Sequence, residues 1–409
     1  MIKKSEFAWN MVGSVIYALF SAIILAFCTR LNGIEIAGMF SIAYATSCIL
    51  NAVGEFGIRI FQSTDVKRKY TFSDYFSSRV IAIIIMIIAT FAAVFIGGYT
   101  DTKLWICILL ILYRVIDNLS ESYQAEFQIN ERLDLAGKSM SFRNIISIIA
   151  FIIVDIITKN MILSCIFMVL ANLITFLLYD VRLIKNFNIV KINFNVEKAL
   201  KIVKECIPIA VAGILNVYVI NAVKYAIDGV GDYTMQTYFN IIYMPTFVIN
   251  LISLFIIKPF YKMFGDYFAN GQYDKLSKIM WKIIGVLVLA TAFVEIGCFI
   301  LGVPFLNLFY GVDISVYKAD LLILVLSGLF YAMDNLLFNL LSTIRKQKYI
   351  FATYILVSAM SLFVPKLLVE HYQMRGAAIA SVIIMASICI LLAVFLKIGI
   401  EERRKKKNV

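Results

Sequence analysis

Charged residues are scarce in this sequence. Asp, Glu, Lys and Arg make up 16% of its 409 residues, and 62% are hydrophobic, whereas soluble domains average about 25% charged and 45–50% apolar residues. The mean hydropathy is +0.88. This composition excludes an ordinary soluble protein and indicates an all-α polytopic membrane protein.

Residues that bind metals or interrupt helices are also few. The chain has one histidine, His371, and its seven cysteines are spread singly through apolar segments, so no pair has metal or redox spacing. We therefore expect no catalytic residue, no metal and no cofactor. The five prolines all lie in the second half of the chain. Pro208 and Pro245 fall inside predicted membrane spans, where proline can kink a helix.

Lys and Arg are distributed unevenly between the loops. Of the 38 such residues, 29 fall on one predicted side of the membrane and seven on the other. This bias follows the positive-inside rule, so both termini are predicted to be cytoplasmic. The net charge of +12 then reflects topology, and nucleic acid is not expected as a partner.

A helical span takes about 20 apolar residues, and twelve such segments lie near 9–29, 36–60, 80–100, 103–121, 141–158, 161–180, 205–226, 236–257, 281–303, 318–341, 349–369 and 376–398.

The largest predicted cytoplasmic loop divides the spans into six and six. We expect an N-terminal lobe at 1–190, a linker at 191–204, a C-terminal lobe at 205–398 and a polybasic cytoplasmic tail at 399–409. Because both lobes would begin and end on the cytoplasmic side, a repeat between them would be parallel.

An Asp-Asn pair supports such a repeat. Asp117 and Asn118 lie in the fourth span, and Asp334 and Asn335 lie in the tenth, which is the fourth of its half. In each half an aromatic residue precedes the Asp by four positions. Shared helix-packing needs are the alternative explanation.

Polar side chains form stripes at helical spacing in spans one, two and four and in their counterparts seven, eight and ten. In lipid, polar groups face the protein interior or a water-filled cavity. The stripes therefore predict a central aqueous cleft, and the alternative is that these groups only hold helices together. Glu55 precedes Arg59 by four residues, the favourable order for a helical ion pair.

Three stretches resemble one family. They are "GMFSIAYATSCILNAVGEFGIRIFQSTDV" (38–66), "LGVPFLNLFYGVDISVYKADLLIL" (301–324) and "QMRGAAIASVI" (373–383). With the twelve-span layout, they resemble Wzx-type flippases, the polysaccharide and O-antigen exporters of the multidrug/oligosaccharidyl-lipid/polysaccharide (MOP) superfamily. The resemblance covers essentially the whole chain.

The resemblance implies two six-helix lobes in a V shape that alternate access across the bacterial cytoplasmic membrane. The implied substrate is an undecaprenyl-pyrophosphate-linked oligosaccharide, moved to the outer leaflet for surface polysaccharide biosynthesis. A cationic cleft would receive the pyrophosphate, since arginine binds phosphate bidentately and lysine binds it as a point charge. The phosphate candidates are Arg30, Arg59, Arg114 and Lys224, and the gate or coupling candidates are Glu55, Asp117, Glu121, Asp334, Asn240 and Asn335.

Two other functions stay open at this point. One is a cation-coupled drug or metabolite antiporter of the same superfamily, and the other is a membrane polymerase or glycosyltransferase. An enzyme is disfavoured because the predicted outer loops are short and carry no convergent acid, base and metal set. The expected partners are the lipid-linked oligosaccharide, membrane lipids, and the polymerase and glycosyltransferases of the pathway, with H⁺ or Na⁺ as the coupling ion.

Overall fold

A computed structural model describes residues 4–63, 65, 68–187, 192–257, 260–344 and 346–407. These residues form helices joined by short turns, and no strand occurs among them. Within these ranges, ten helices are long and apolar enough to cross a membrane, so the chain is a multi-pass membrane protein. The helices are α1 (Lys4–Leu31), α2 (Ile34–Glu55), α3 (Ile58–Ser63), α4 (Phe72–Ile96), α5 (Asp101–Ile129), α6 (Leu133–Thr158), α7 (Met161–Thr175), α8 (Val181–Leu183), α9 (Val196–Val230), α10 (Tyr233–Ile257), α11 (Tyr261–Ala269), α12 (Tyr273–Gly297), α13 (Val303–Tyr310), α14 (Lys318–Thr343), α15 (Gln347–Ser361) and α16 (Val364–Lys407).

Two further predicted spans are helical but are not among those ten. The fourth is α5, whose 29 residues include many charged side chains, and the eleventh is α15, which has 15 residues. The count of twelve spans and the cytoplasmic location of the termini stay predictions.

Two π-helical segments, Phe176–Asp180 and Cys298–Gly302, continue α7 and α12. α16 is broken at Gln373, whose φ of 48° and ψ of −126° are not helical.

The helices form two compact units, Met1–Val217 and Tyr218–Val409. The boundary falls inside α9, and the part of the predicted linker from 196 to 204 is the start of that helix. In the first unit α5 is central and contacts α2, α4, α6 and α7. In the second unit α14 is central and contacts α10, α12, α15 and α16. The central helix of each unit is therefore the one that carries the Asp-Asn pair.

The sequence "GEFG" ends α2. Phe56 has a φ of 46° and Gly57 a φ of 68°, both in the left-handed region that ends a helix. A Cβ on Gly57 would lie 2.6 Å from the Cγ2 atom of Ile209 in α9, so this position also requires close packing. Because the helix stops here, α3 starts in a new direction. The predicted helical ion pair between Glu55 and Arg59 is wrong for that reason.

α4 shows how an apolar span hides one charge. One face exposes Ile88, Phe91 and Phe95, with exposed fractions of 64%, 73% and 87%, and such a face suits contact with lipid tails. The opposite face packs on α2 and α5 and buries Arg79 completely. The interior of the first unit therefore accommodates a guanidinium that lipid would not.

Candidate functional site: an ion network in the first unit

Arg114 lies inside the first unit against two tyrosines and a carboxylate. Its Nη1 atom donates to the Tyr17 hydroxyl at 2.9 Å and lies 3.3 Å from Oδ2 of Asp117. The guanidinium carbon is 5.6 Å and 5.2 Å from the ring centroids of Tyr17 and Tyr44, within the range of cation–π attraction. Arg114 is 1% exposed. Its charge is thus largely satisfied within the unit, and it does not face an open cleft in this conformation.

Asp117 joins Arg114 to a second buried arginine. Its Oδ1 atom lies 2.9 Å from Nη1 of Arg143 on α6. Arg143 also lies within hydrogen-bonding reach of the Asn172 side chain, at 3.4 Å, and is 3% exposed. A carboxylate between two buried guanidiniums fixes α5 against α6, and removing a buried ion-pair partner costs about 3–5 kcal/mol.

Arg79 connects the end of α2 to α5. Its Nη1 atom donates to the carbonyl oxygens of Gly54 at 3.1 Å and Glu55 at 2.9 Å, and to Oδ1 of Asn118 at 3.1 Å. The last carbonyls of a helix have no partner within it, and a cation there also complements the helix dipole. Arg79 therefore caps α2 from a neighbouring helix.

Glu121 receives two arginines. Its Oε1 atom lies 3.2 Å from Nη1 of Arg59, and its Oε2 atom lies 3.4 Å from Nη2 of Arg79. The side chains of Arg59 and Glu121 are 29% and 19% exposed, more than those of Arg79, Arg114 or Asp117. This pair is the part of the network that solvent or a ligand reaches most easily.

Glu55 is bound differently from the other carboxylates. Its Oε1 atom accepts from the Asn51 amide at 2.6 Å. Within the described ranges no Lys or Arg nitrogen forms an ion pair with it. The network is therefore mixed in sign rather than plainly cationic; its arginines are Arg59, Arg79, Arg114 and Arg143, and the carboxylates on or beside it are Glu55, Asp117, Glu121 and Asp180.

The Asp-Asn pairs make equivalent contacts in the two units. The Asn118 amide donates to Oδ1 of Asn51 on α2 at 2.8 Å. The Asn335 amide donates to Oδ1 of Asn250 on α10 at 2.7 Å. Fourth and second predicted spans are thus joined by an Asn–Asn hydrogen bond in each half, which agrees with an internal repeat.

The aspartates of the two pairs have different partners. Asp117 meets an arginine of the fifth span, Arg143, whereas Asp334 accepts from the hydroxyl of Tyr354 in the eleventh, at 3.1 and 3.3 Å. Asp334 is 3% exposed, and among the described residues no cation pairs with it. In both halves the Asp contacts the next predicted span, but the partner is a cation in the first half and a neutral hydroxyl in the second.

The remaining predicted residues are in other elements than the helices of this network or in its end turns. Arg30 is in the last turn of α1, thirteen residues or roughly 20 Å of helix beyond the Tyr17 that contacts Arg114. Lys224 is a buried residue of α9, and Asn240 donates to the Gln236 carbonyl on its own helix at 2.8 Å. Both belong to the second unit.

Sequence reasoning missed three members of the network. The count of Lys and Arg treats Arg79 and Arg143 as charges of the cytoplasmic side, one directly before the predicted span at 80–100 and the other at the start of the span at 141–158. The structure places both inside helices, α4 and α6. Asp180, at the end of a π-helical segment, is fully buried and accepts from the Ser120 hydroxyl at 2.6 Å. The polar stripe around Arg143, from Ser139 to Ser147, was the signal that could have identified it as an interior residue.

The loop between α3 and α4 is organised around Asp65. Its carboxylate accepts from the backbone N–H groups of Lys69 and Tyr70, both at 3.0 Å, and from the Tyr75 hydroxyl at 2.8 Å. Partial burial raises the pKa of Asp65, but these hydrogen bonds outweigh it and hold the pKa below its ordinary value. Asp65 therefore joins the backbone at residues 69 and 70 to the first turn of α4, and Lys69 also pairs with Glu205 of α9 at 3.8 Å.

The fold is that of transporters. A multidrug MATE-family transporter of the MOP superfamily, solved in an inward-facing conformation, superimposes with a TM-score of 0.69 at 12% identity, over 95% of this chain and 96% of that one. A MOP superfamily transporter from Pyrococcus furiosus gives 0.62 at 13% identity, over 96% and 94%. The all-α fold expected from the sequence is thus confirmed.

In sequence, the chain is 24% identical over 385 residues to the capsular polysaccharide biosynthesis protein CapF of Staphylococcus aureus, covering 93% of this chain and 95% of that protein. No protein-family model matches. These similarities agree with the resemblance to the MOP superfamily and to its polysaccharide branch.

Proposed function

We propose that this protein is a flippase. It moves an undecaprenyl-pyrophosphate-linked oligosaccharide repeat unit from the cytoplasmic to the outer leaflet of a bacterial cytoplasmic membrane by alternating access. The observation that carries the proposal is the near-full-length similarity to a capsular polysaccharide biosynthesis protein in a chain with the fold of MOP transporters. A lipid-linked glycan is the cargo that we assign to a transporter fold with this similarity.

Arg59 is the first phosphate ligand in this mechanism. It is the most exposed arginine of the ion network, and a guanidinium binds phosphate oxygens bidentately. Arg114, caged by Tyr17 and Asp117, contributes after a conformational change, and Arg30 and Lys224 act at other stages of the cycle. Glu55, Asp117, Glu121 and the second-unit residues Asp334, Asn240 and Asn335 provide gates, sugar-hydroxyl acceptors or the site of a coupling H⁺ or Na⁺.

The partners follow from the same function. The polymerase and the glycosyltransferases of the pathway supply and consume the lipid-linked unit. The basic residues at the C-terminal end of α16 attract anionic lipid at about 1 kcal/mol per residue near the surface.

The test is translocation in proteoliposomes. A membrane-impermeant glycosidase measures how much lipid-linked oligosaccharide reaches the outer leaflet. Wild-type protein is expected to move the substrate, and Arg59→Ala and Arg114→Ala are expected to abolish movement while both proteins still insert. Arg132→Ala is the matched control, since Arg132 is 50% exposed and pairs with Asp134 in a turn.

The same assay separates the alternatives. Translocation that is unchanged in both variants contradicts the assignment of the network to the substrate. If wild-type protein moves none of several bacterial lipid-linked glycans, the flippase proposal fails. Cation-driven dye efflux then tests the antiporter, the function for which the multidrug transporters of this fold provide the precedent.

A further inference from the structure

Glu121 lies between two arginines, of which Arg59 is partly exposed and Arg79 is fully buried. Its two carboxylate oxygens are divided between them, with Oε1 at 3.2 Å from Arg59 and Oε2 at 3.4 Å from Arg79. Neither contact is a parallel two-bond pair, so neither arginine uses its full capacity for a carboxylate. The carboxylate bridges α3 and α4 from its place on α5.

Arg79 is held in place by its own hydrogen bonds, so it cannot move with Glu121. Its side chain is 0% exposed, and Nη1 holds the carbonyls of Gly54 and Glu55 and the amide oxygen of Asn118. Releasing it would leave buried acceptors without donors, which is costly. One oxygen of Glu121 therefore lies 3.4 Å from a guanidinium that is itself fixed at the end of α2, as a buried ion pair without a hydrogen bond.

Arg59 has the opposite character. It lies on the six-residue helix α3, directly after the left-handed break at Phe56 and Gly57. Within the described ranges its side chain has one ion-pair partner, Glu121, through one nitrogen. A guanidinium has five N–H donors, and one hydrogen bond among the described residues uses them, so a partly exposed side chain keeps donors that a ligand can use.

We infer that Glu121 is the resident anion of Arg59, and that an anionic phosphate group of the ligand displaces it while Arg79 retains the carboxylate. This inference rests on the proposed function for the identity of the ligand, a polyprenyl pyrophosphate. Glu121 thus acts as an internal competitor that lowers ligand affinity. When the phosphate leaves, the carboxylate is already in place to take Arg59 back, which favours release.

The inference predicts that removal of the competitor tightens binding. Glu121→Gln keeps the size of the side chain and removes its charge, so Arg59 meets phosphate without an exchange. Loss of one partly exposed ion pair corresponds to roughly two- to fivefold in a dissociation constant. The same variant is expected to slow translocation, because release is no longer assisted.

The experiment measures binding of inorganic pyrophosphate, and then of undecaprenyl pyrophosphate in nanodiscs, to the purified full chain. Undecaprenol, which has no phosphate, is the uncharged lipid control. Glu126→Gln is the matched variant, because Glu126 lies on the same helix, is 6% exposed and pairs with Arg68 and Asn130 rather than Arg59. Glu121→Gln in an Arg59→Ala background closes a double-mutant cycle.

The expected result is tighter pyrophosphate binding in Glu121→Gln, wild-type affinity in Glu126→Gln, and no gain from Glu121→Gln once Arg59 is alanine. Unchanged or weaker binding in Glu121→Gln overturns the inference, as does a gain that persists without Arg59. Glu121→Ala is the second variant if Glu121→Gln does not fold. It also removes the charge that competes for Arg59, so the same gain is expected.

The two proposals fail in different ways. If the chain binds inorganic pyrophosphate with the predicted dependence on Glu121 but neither binds nor moves the polyprenyl ligand, the exchange holds and the flippase function is wrong. If the lipid-linked substrate is translocated and Glu121→Gln leaves both pyrophosphate affinity and turnover unchanged, the function holds and the exchange is wrong.

Discussion

Arg59 and Arg79 offer a direct comparison between two arginines on one carboxylate. Both lie within 3.4 Å of Glu121, yet their side chains are 29% and 0% exposed. We predict that alanine at position 79 destabilises the first unit far more than alanine at position 59, although each substitution deletes one ion pair with the same partner.

The magnitudes follow from burial. Arg59→Ala removes one partly exposed pair, and exposed pairs contribute less than about 1 kcal/mol. Arg79→Ala removes a buried charge and the donor for two helix-end carbonyls and the Asn118 side chain. Breaking a buried pair costs about 3–5 kcal/mol. Arg79→Lys is expected to lie between them, because one ammonium cannot reproduce the planar arrangement of guanidinium donors.

The assay is unfolding in detergent followed by tryptophan fluorescence. Trp9 and Trp105 lie in the first unit and Trp281 in the second, so a Trp281→Phe background reports on the first unit alone. The free energy of unfolding is compared for the three arginine variants in that background. Equal losses for Arg59→Ala and Arg79→Ala would refute the reasoning, because burial would then not determine the contribution of the contact.

Three further outcomes are expected. Asp117→Asn should lower the free energy of unfolding by about 3–5 kcal/mol, because it leaves two buried guanidiniums without their carboxylate. Asp334→Asn should be near neutral or stabilising, because the donor to that carboxylate is a tyrosine hydroxyl. Chemical unfolding measures both variants, and the reverse order would contradict the assigned partners. Gly57→Ala should destabilise the protein more than Gly98→Ala. Both glycines have a positive φ (68° and 58°), but of the two only Gly57 has a neighbour within 4 Å of an added Cβ. Equal melting temperatures would show that the packing around Gly57 is not tight. Because the pKa of Asp65 is lowered in the folded chain, the contribution of Asp65 to stability is complete above the ordinary aspartate pKa and is lost as pH falls through the folded value. Limited proteolysis between α3 and α4 should therefore accelerate below about pH 4 in the wild type. An Asp65→Asn variant with the same acid transition would disprove the link.

Apolar run length and charge distribution were enough to predict an all-α membrane protein. A bilayer leaves few alternatives to helices, so composition alone is informative in a way that it is not for soluble chains. The recurrence of the Asp-Asn pair predicted equivalent fourth helices in the two halves. The matching Asn118–Asn51 and Asn335–Asn250 hydrogen bonds agree with that prediction.

Side-chain pairing could not be predicted in the same way. Spacing along a helix suggested that Glu55 pairs with Arg59, but two left-handed residues end α2 between them, and Arg59 pairs with Glu121, 62 residues away. Arg79 and Arg143 looked like charges of the cytoplasmic surface because each lies at the beginning of a predicted span or directly before it. Whether such a residue faces water or the protein interior depends on which helix packs beside it.

The sequence by itself determined that this protein is built of helices that span a membrane, because hydropathy is a property of the chain, and the recurrence of the Asp-Asn pair predicted that these helices form two related sets. Only the tertiary structure decided that the charges of the first unit form a closed, nearly balanced network with one accessible pair. That network depends on contacts between helices distant in sequence, and the energy of each charge is set by the partners it meets there.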